Sequence, residues 1–145
     1  MLTIRENGGC VGNHNIFMTV LDVNGQPLMG AKIGAEGDSI LWTTGDKNEP
    51  FFSYGNKLAE IELIKNGRVV RVVEYPAGHP VTSENSPLLS SNDWEIPIPW
   101  MIEAGYCANE SECRTRRADP TRAGNNTICW GHYSYWLVFK ATHPF

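Results

Sequence analysis

Alternating apolar and polar positions dominate the first half of the chain and predict short β-strands. Residues 15–23, NIFMTVLDV, place apolar residues on both faces of a strand. Because successive side chains of a strand point to opposite faces, this strand is expected to be covered on both sides. The Asn24-Gly25 pair that follows supplies the positive φ that a tight hairpin turn requires. A second, shorter strand is expected over residues 31–35, with its small apolar side chains facing inward.

Further strands are expected before residue 75, at residues 40–44, 51–54, 58–64 and 69–73. The last two form the clearest predicted hairpin. Ala59, Ile61 and Leu63 are expected to face the core, whereas the glutamates between them face water. Asn66-Gly67, between the two strands, is a two-residue turn signal.

Two long polar connections interrupt the second half of the chain, at residues 76–93 and 103–127. Residues 94–101 between them are predicted to be extended. Because Pro97 and Pro99 each lack an amide donor, this segment is confined to an edge strand or a polyproline-like conformation. Residues 128–142 alternate clearly and predict the last strand. No segment shows helical periodicity over a sufficient length.

These elements predict an all-β fold, a single antiparallel β-sandwich domain over residues 1–145. Residues 1–13 form an N-terminal arm, and residues 76–93 and 103–127 form two long loops. A chain of this length can bury a hydrophobic core. Its formal net charge of −4 argues against nucleic acid as a partner. No apolar run reaches the roughly 20 residues needed for membrane insertion, and the opening residues lack the apolar region of an intact secretory signal.

The four cysteines suggest disulfides. They include no C-x-x-C pair, which argues against a zinc site. Four cysteines allow three pairings, and sequence does not choose strictly among them. The favoured pairing joins Cys107 to Cys113 across a polar loop and Cys10 to Cys129, from the N-terminal arm to the last strand. The alternative is four free thiols in a reducing compartment. With disulfides, an extracellular or virion-surface location is expected.

Several turn and strand motifs follow one another between residues 15 and 73. They are VLDVNGQP at residues 20–27, GAKI at 30–33, WTTGD at 42–46 and FFSY at 51–54. Together they resemble carboxypeptidase regulatory-like, or transthyretin-like, β-sandwich modules. Such modules are appended to surface or secreted proteins and to phage structural or lytic proteins. The resemblance therefore implies an immunoglobulin-like scaffold but no shared chemistry.

No catalytic or metal-ligating constellation emerges from the sequence. The four histidines are scattered, and none has another ligand at metal-binding spacing. Ser134 lies beside His132 but lacks a nucleophile elbow. Cys113, next to Arg114, is better explained by a disulfide than by a reactive thiolate. The chain is therefore predicted to be non-enzymatic, with no metal and no cofactor.

Aromatic side chains in the loops and at strand ends are the strongest binding candidates. They are Trp94, Trp100, Tyr106 and Trp130. Flat aromatic faces suit the apolar faces of sugar rings and also anchor protein interfaces. The competing interpretation is that these rings plug the ends of the core.

A basic cluster in the second long loop is a further candidate. It consists of Arg114, Arg116 and Arg117, and it would suit an anionic partner. Acidic residues of the same loop, Glu110 and Glu112 among them, favour internal neutralisation instead.

The favoured function is a non-catalytic, surface-exposed module that binds a glycan or a surface protein through loop and edge aromatics. The alternative is a structural or decoration protein of a virion or other extracellular assembly, in which the long loops contact neighbouring subunits. A hydrolase is the third candidate.

Overall fold

The computed structural model of this protein describes residues 1–47, 57–63, 67–118 and 128–145. The chain packs into two compact units. The first unit consists of Met1–Asn15, Glu62–Gly67 and Leu89–Tyr135. The second unit consists of Ile16–Ile61, Arg68–Leu88 and Trp136–Phe145. The predicted strand at residues 51–54 and Asn66 of the predicted turn lie outside the described residues.

The described part of the chain contains six strands in two three-stranded sheets. In chain order they are β1 (Asn15–Leu21), β2 (Lys32–Ala35), β3 (Leu41–Thr43), β4 (Ala59–Glu62), β5 (Val70–Glu74) and β6 (Tyr135–Lys140). The first sheet has the order β4-β1-β6, and the second has the order β3-β2-β5. The predominantly β architecture predicted from the alternation is confirmed.

Strand β1 is buried on both faces, as its apolar sequence predicts. Every residue of β1 after Asn15 is buried. In the turn that follows, Asp22 Oδ1 accepts hydrogen bonds from the amides of Asn24 at 2.8 Å and Gln26 at 2.7 Å. Gly25 has φ 83°, a conformation that strains residues with a side chain.

Strand β2 lies at the centre of the second sheet and pairs antiparallel with β3 and β5. Ile33 is opposite Trp42 on one side and Val72 on the other. Ala31, Ile33 and Ala35 are buried, as predicted. The inward face of β2 is therefore the one that the small apolar residues indicate.

The hairpin predicted between β4 and β5 is wrong, although both strands are present. Strand β4 belongs to the first sheet and β5 to the second. The predicted alternation of buried and exposed side chains within β4 is confirmed. Strand β5 pairs with β2 instead, where Val72 is opposite Ile33 and both side chains are buried. Because pairing depends on which apolar faces meet, a local turn signal does not decide the partner.

Strand β6 runs parallel to β1, so the expectation of a fully antiparallel fold is wrong for this pair. Where both strands begin, Asn15 N donates to Ser134 Oγ at 3.0 Å. Where both strands end, Ala141 N donates to Leu21 O at 2.8 Å. The long chain between the two strands makes a parallel pairing feasible. Strand β6 is also shorter than the predicted segment at residues 128–142.

Helix α1 (Ile98–Glu103) replaces much of the predicted extended segment. Pro97 immediately precedes the helix and Pro99 lies in its first turn. Amides in the first turn have no intrahelical acceptor, so proline loses no hydrogen bond there and its φ suits the helix. The amides of Trp100 and Met101 donate to Pro97 O at 3.0 and 3.3 Å. The two prolines therefore mark the start of a helix.

Helix α2 (Glu110–Arg117) lies within the predicted loop at residues 103–127, so the all-β expectation is wrong here as well. Asn109 precedes the helix, and its Oδ1 accepts a hydrogen bond from Glu112 N at 2.9 Å. Asparagine in this position with glutamate three residues later is typical of a helix start. The helix has only eight residues, which is too short for a clear helical period.

Both predicted cysteine pairs are at disulfide distance, and both lie in the first unit. The Cα atoms of Cys10 and Cys129 are 4.7 Å apart, and those of Cys107 and Cys113 are 5.4 Å apart. Disulfides are typical of proteins that reach an oxidising compartment. No helix within the described ranges is long and apolar enough to cross a membrane.

We expect Ile61→Ala to lower the free energy of unfolding by about 2–5 kcal/mol, because the Ile61 side chain is fully buried. Ile40→Ala is the matched control, since Ile40 is 58% exposed and should change stability little. Urea denaturation followed by tryptophan fluorescence measures both variants. Equal midpoints for Ile61→Ala and the wild type would mean that the inward face of β4 is assigned wrongly.

We expect Asn109→Ala to lower the free energy of unfolding by about 0.5–2 kcal/mol, because the Glu112 amide loses its side-chain acceptor. Asn109→Asp keeps an acceptor in the same place and should remain close to the wild type. The same urea titration compares the two variants. A cap role for Asn109 is ruled out if both substitutions have the same effect.

Candidate binding surface

Trp94 and Trp130 are the predicted aromatic binding residues that the structure leaves at the surface. Their exposed fractions are 56% and 58%, and both belong to the first unit. Tryptophan is enriched among the residues that carry most of the binding energy at interfaces. The arrangement around these two rings is therefore the candidate functional site.

A short turn after Ser90 positions Trp94. Asn92 N donates to Ser90 Oγ at 2.9 Å, and Trp94 N donates to Asn92 Oδ1 at 3.0 Å. Glu95 N donates to Asn92 O at 3.0 Å. Serine and asparagine favour such turns because their side-chain oxygens reach backbone amides two residues further on. The turn fixes the backbone of Trp94 while its side chain stays exposed.

The guanidinium of Arg117 lies against the ring of Trp94, with Cζ 6.0 Å from the ring centroid. Arg117 is only 8% exposed, and its Nη2 donates to Ile96 O at 2.5 Å. Burial lowers the pKa of Arg117, and the charge of Asp93 opposes this shift. A cation facing an indole is stabilised by the negative face of the ring. Arg117 therefore supports Trp94 and is not free to hold an anionic partner.

Asp93, next to Trp94, carries a fully buried carboxylate. Its Oδ1 accepts a hydrogen bond from the hydroxyl of Tyr133, and its Oδ2 accepts one from Ile128 N at 2.7 Å. Burial, and then the charge of Asp93, raise the pKa of Tyr133, so this phenol stays protonated and donates. A charge is tolerated in the interior only with such partners. Asp93 thus ties the turn that carries Trp94 to the segment that begins at Ile128.

Trp130 lies in a tight turn two residues after Ile128. Its φ is 51°, in the left-handed region that residues other than glycine rarely adopt, and Gly131 follows with φ 81°. Non-glycine residues held in this region cluster at functional sites. Because the hydrogen bond of Asp93 joins the two segments, the Cα atoms of Trp94 and Trp130 are at most about 20 Å apart. A ligand of several sugar or peptide residues spans such a distance.

The two other predicted aromatic residues are packed. Tyr106 is buried, with its ring edge-to-face against Tyr133 at a centroid distance of 5.0 Å. Burial raises the pKa of Tyr106 to about 12. Trp100 is half-buried and meets Tyr135 edge-to-face at 6.4 Å. Core packing, the competing interpretation, accounts for Tyr106 and for much of Trp100.

The remaining predicted arginines form ion pairs along α2. Arg114 Nε donates to Glu110 Oε1 at 2.8 Å. Arg116 Nη1 lies 3.6 Å from Glu112 Oε1. Partners four residues apart are neighbours on a helix surface. Internal neutralisation therefore explains these two members of the basic cluster.

Sequence reasoning missed the residues that organise this surface, Asp93, Ser90 and Tyr135. The hydroxyl of Tyr135 donates to Ser90 O at 2.7 Å across a sequence separation of 45 residues. The contact between Asp93 and Tyr133 spans 40 residues. No local motif links positions so far apart. The one sequence signal is the alternation over residues 128–142, which puts Tyr133 and Tyr135, two positions apart, on the same face of the predicted strand.

Comparisons with protein-family models, with curated proteins and with solved structures found no match to this chain. Among the residues that the structure describes, no three histidine, cysteine, aspartate or glutamate side chains are grouped so as to hold a metal ion. The first unit presents two exposed indoles on backbone that a buried carboxylate holds in place.

Two tyrosine-to-phenylalanine variants are expected to differ in stability. Tyr133→Phe removes a hydrogen bond to the buried Asp93 and should lower the free energy of unfolding by about 1–3 kcal/mol. Tyr106→Phe removes a buried hydroxyl that lies beside Asn7 but makes no hydrogen bond of good geometry among the described residues, so stability should fall by less than in Tyr133→Phe. Urea denaturation at neutral pH compares both with the wild type. A similar loss in both variants would contradict this difference.

The same pair gives a test at alkaline pH. The pKa of Tyr106 rises from 10.0 in the unfolded chain to about 12 in the fold. Its neutral form therefore favours folding fully below pH 10, and this contribution is lost as the pH rises towards 12. Tyr106→Phe should lose less stability than the wild type over that interval.

Proposed function

We propose that this chain is a non-catalytic, surface-exposed β-sandwich module that binds a glycan or a cell-surface partner through exposed aromatic side chains. The observation that carries the proposal is Trp94, an indole more than half exposed whose ring lies against the buried Arg117. A ring held in advance loses little conformational freedom on binding. Its flat apolar face suits the face of a sugar ring.

The position of Trp130 supports an extended site. Its exposed indole lies on a turn with positive φ, and the hydrogen bonds of Asp93 tie that segment to the turn of Trp94. Both exposed indoles thus belong to one fixed network in the first unit. Such a pair offers two contact points for one chain-like ligand.

The sandwich assignment rests on the two sheets and on the resemblance over residues 15–73. Each three-stranded sheet contributes fully buried side chains, Ile16 and Met18 from β1 and Ile33 from β2. A sheet with an apolar face must bury it against another layer. Two sheets that cover each other are the arrangement of carboxypeptidase regulatory-like and transthyretin-like modules.

The cysteine pairs support an extracellular location for this module. Cys10 with Cys129, and Cys107 with Cys113, are at disulfide distance. Disulfides persist in oxidising surroundings, outside the cytosol. Glycans and surface proteins are the partners available there.

A structural role in a virion or other extracellular assembly is the second candidate. It is favoured by exposed large apolar side chains, Val11, Ile40 and Leu41. Side chains of this kind become buried where neighbouring subunits pack.

A glycan array followed by affinity gel electrophoresis tests the leading proposal. We expect the wild type to be retained by at least one glycan class. Trp94→Ala and Trp130→Ala should each weaken retention about tenfold or more, as for an aromatic hot spot. Trp94→Phe keeps an aromatic face and should recover part of the loss.

Ile40→Ala is the control for this experiment, because Ile40 is exposed and belongs to the second unit. Thermal melting of every variant separates lost binding from lost folding. No retention of the wild type, or retention unchanged in both tryptophan variants, would overturn the proposal. Light scattering that shows defined multimers would favour the structural role.

A further inference from the structure

An open groove of about 580 Å³ lies in the second unit. Two continuous stretches of chain form its walls, residues 81–87 and residues 137–145. Val20 of β1 and Val72 of β5 also line it, and both side chains are buried. The groove therefore has an apolar floor between two walls.

The walls of the groove present backbone edges. Successive side chains of an extended chain point to opposite sides. A cavity beside one face of a strand would therefore be lined by every second residue. Here Leu137, Val138, Phe139 and Lys140 all line the groove in succession. This succession indicates that the edge of β6 faces the open space.

Among the residues that the structure describes, the outer edge of β6 leaves backbone groups of Val138 and Lys140 without a partner. Ala141 N donates to Leu21 O, so the backbone groups of alternate residues turn towards β1. The backbone N–H and C=O groups of Val138 and Lys140 therefore point away from β1. Within the described ranges, β6 has no sheet neighbour on that side, and no backbone hydrogen bond reaches Val138 or Lys140 from it.

The opposite wall is held rigidly along the edge of β5. The hydroxyl oxygens of Ser83 and Ser86 accept hydrogen bonds from the amides of Val72 at 2.9 Å and Val70 at 3.0 Å. Ser86 N donates in turn to Val70 O at 2.8 Å. The groove is thus bounded by a fixed segment on one side and by a strand edge on the other.

We propose that this groove binds an extended peptide segment of another protein, which pairs its backbone with the outer edge of β6. Apolar side chains at alternate positions would lie over Val20 and Val72. Strand addition to an exposed sheet edge is a recurring mode of peptide recognition. The four groove-lining residues of β6 span about 13 Å, enough for a short strand.

Charge at the end of β6 specifies the peptide further. Lys140 is exposed and makes no ion pair within the described residues. A carboxylate on the peptide would complement it. Glu84 lies on the opposite wall and would repel a carboxylate of the peptide, and His143 lies beyond the end of β6. The acidic residue of the peptide is therefore expected next to Lys140, on the β6 side of the groove. The occupant is an extended, alternately apolar peptide with an acidic side chain opposite Lys140.

Selection from a displayed library of random nonapeptides on the immobilised chain tests this proposal. Enriched peptides should alternate apolar residues and carry an Asp or Glu. Synthetic copies titrated by calorimetry should bind the wild type. A copy methylated at alternate backbone nitrogens keeps its side chains but loses donors, and should bind about tenfold more weakly or worse.

Protein variants provide an independent readout. Val138→Pro removes one outward amide and should weaken binding about tenfold, whereas Val138→Thr keeps the amide and should bind normally. Lys140→Glu should weaken binding of the acidic peptide, and a Lys-substituted peptide should recover it. Thermal melting checks the fold of each variant. If Val138→Pro is unstable, the methylated peptide still tests whether binding depends on backbone hydrogen bonds.

Three outcomes would overturn the proposal. The first is a library that yields no enriched peptide. The second is binding that is insensitive to backbone methylation and to Val138→Pro. The third is sedimentation showing self-association that Val138→Pro abolishes, because a second copy of this chain would then occupy the groove. None of these results concerns Trp94, so the proposed aromatic binding surface is tested independently of the groove.

Discussion

The buried carboxylate of Asp93 determines how the first unit is assembled. A carboxylate removed from water is strongly unfavourable unless its oxygens are hydrogen-bonded. Asp93 meets this condition with donors from Ile128 and Tyr133, 35 and 40 residues away. The two segments must therefore come together before the charge can be buried. Cys129, bonded to Cys10, lies between those donors, so the same contact also anchors the N-terminal residues. The exposed tryptophans flank this contact, and their positions follow from it.

The strands could be predicted from sequence, but their partners could not. Alternation is a local property of a strand with one buried face, and it correctly located β4, whereas apolar residues on both faces correctly located β1. Pairing depends on which apolar faces meet at long range. Val72 of β5 therefore pairs with Ile33 of β2, although a turn signal favoured β4. The parallel contact of β6 with β1 is equally non-local, since it joins Leu21 to Ala141.

The helices and the candidate site show the same division between local features, which the sequence predicts, and long-range contacts, which it does not. Pro97 and Pro99 are compatible with a strand edge and with a first helical turn, and only the surrounding chain distinguishes the two. The sequence shows which segments carry large aromatic residues, but not which of these rings are exposed. Tyr106 is packed against Tyr133, whereas Trp94 is left at the surface over Arg117. That difference arises from contacts between distant segments, for which no local motif exists.

The two proposed surfaces use different physics, and this affects what each can recognise. The groove offers backbone groups, which are the same in every sequence, so its selectivity must come from its apolar floor and from Lys140. The aromatic surface offers side chains, and its selectivity depends on how firmly they are held. The ring of Trp94 faces Arg117. The hydrogen bonds of the Asp93 carboxylate come from Ile128 and Tyr133 and do not involve Trp94. Loss of the indole would therefore remove the proposed binding face and the ring beside Arg117, while Arg117 keeps its hydrogen bond to Ile96 O and Asp93 keeps both of its donors.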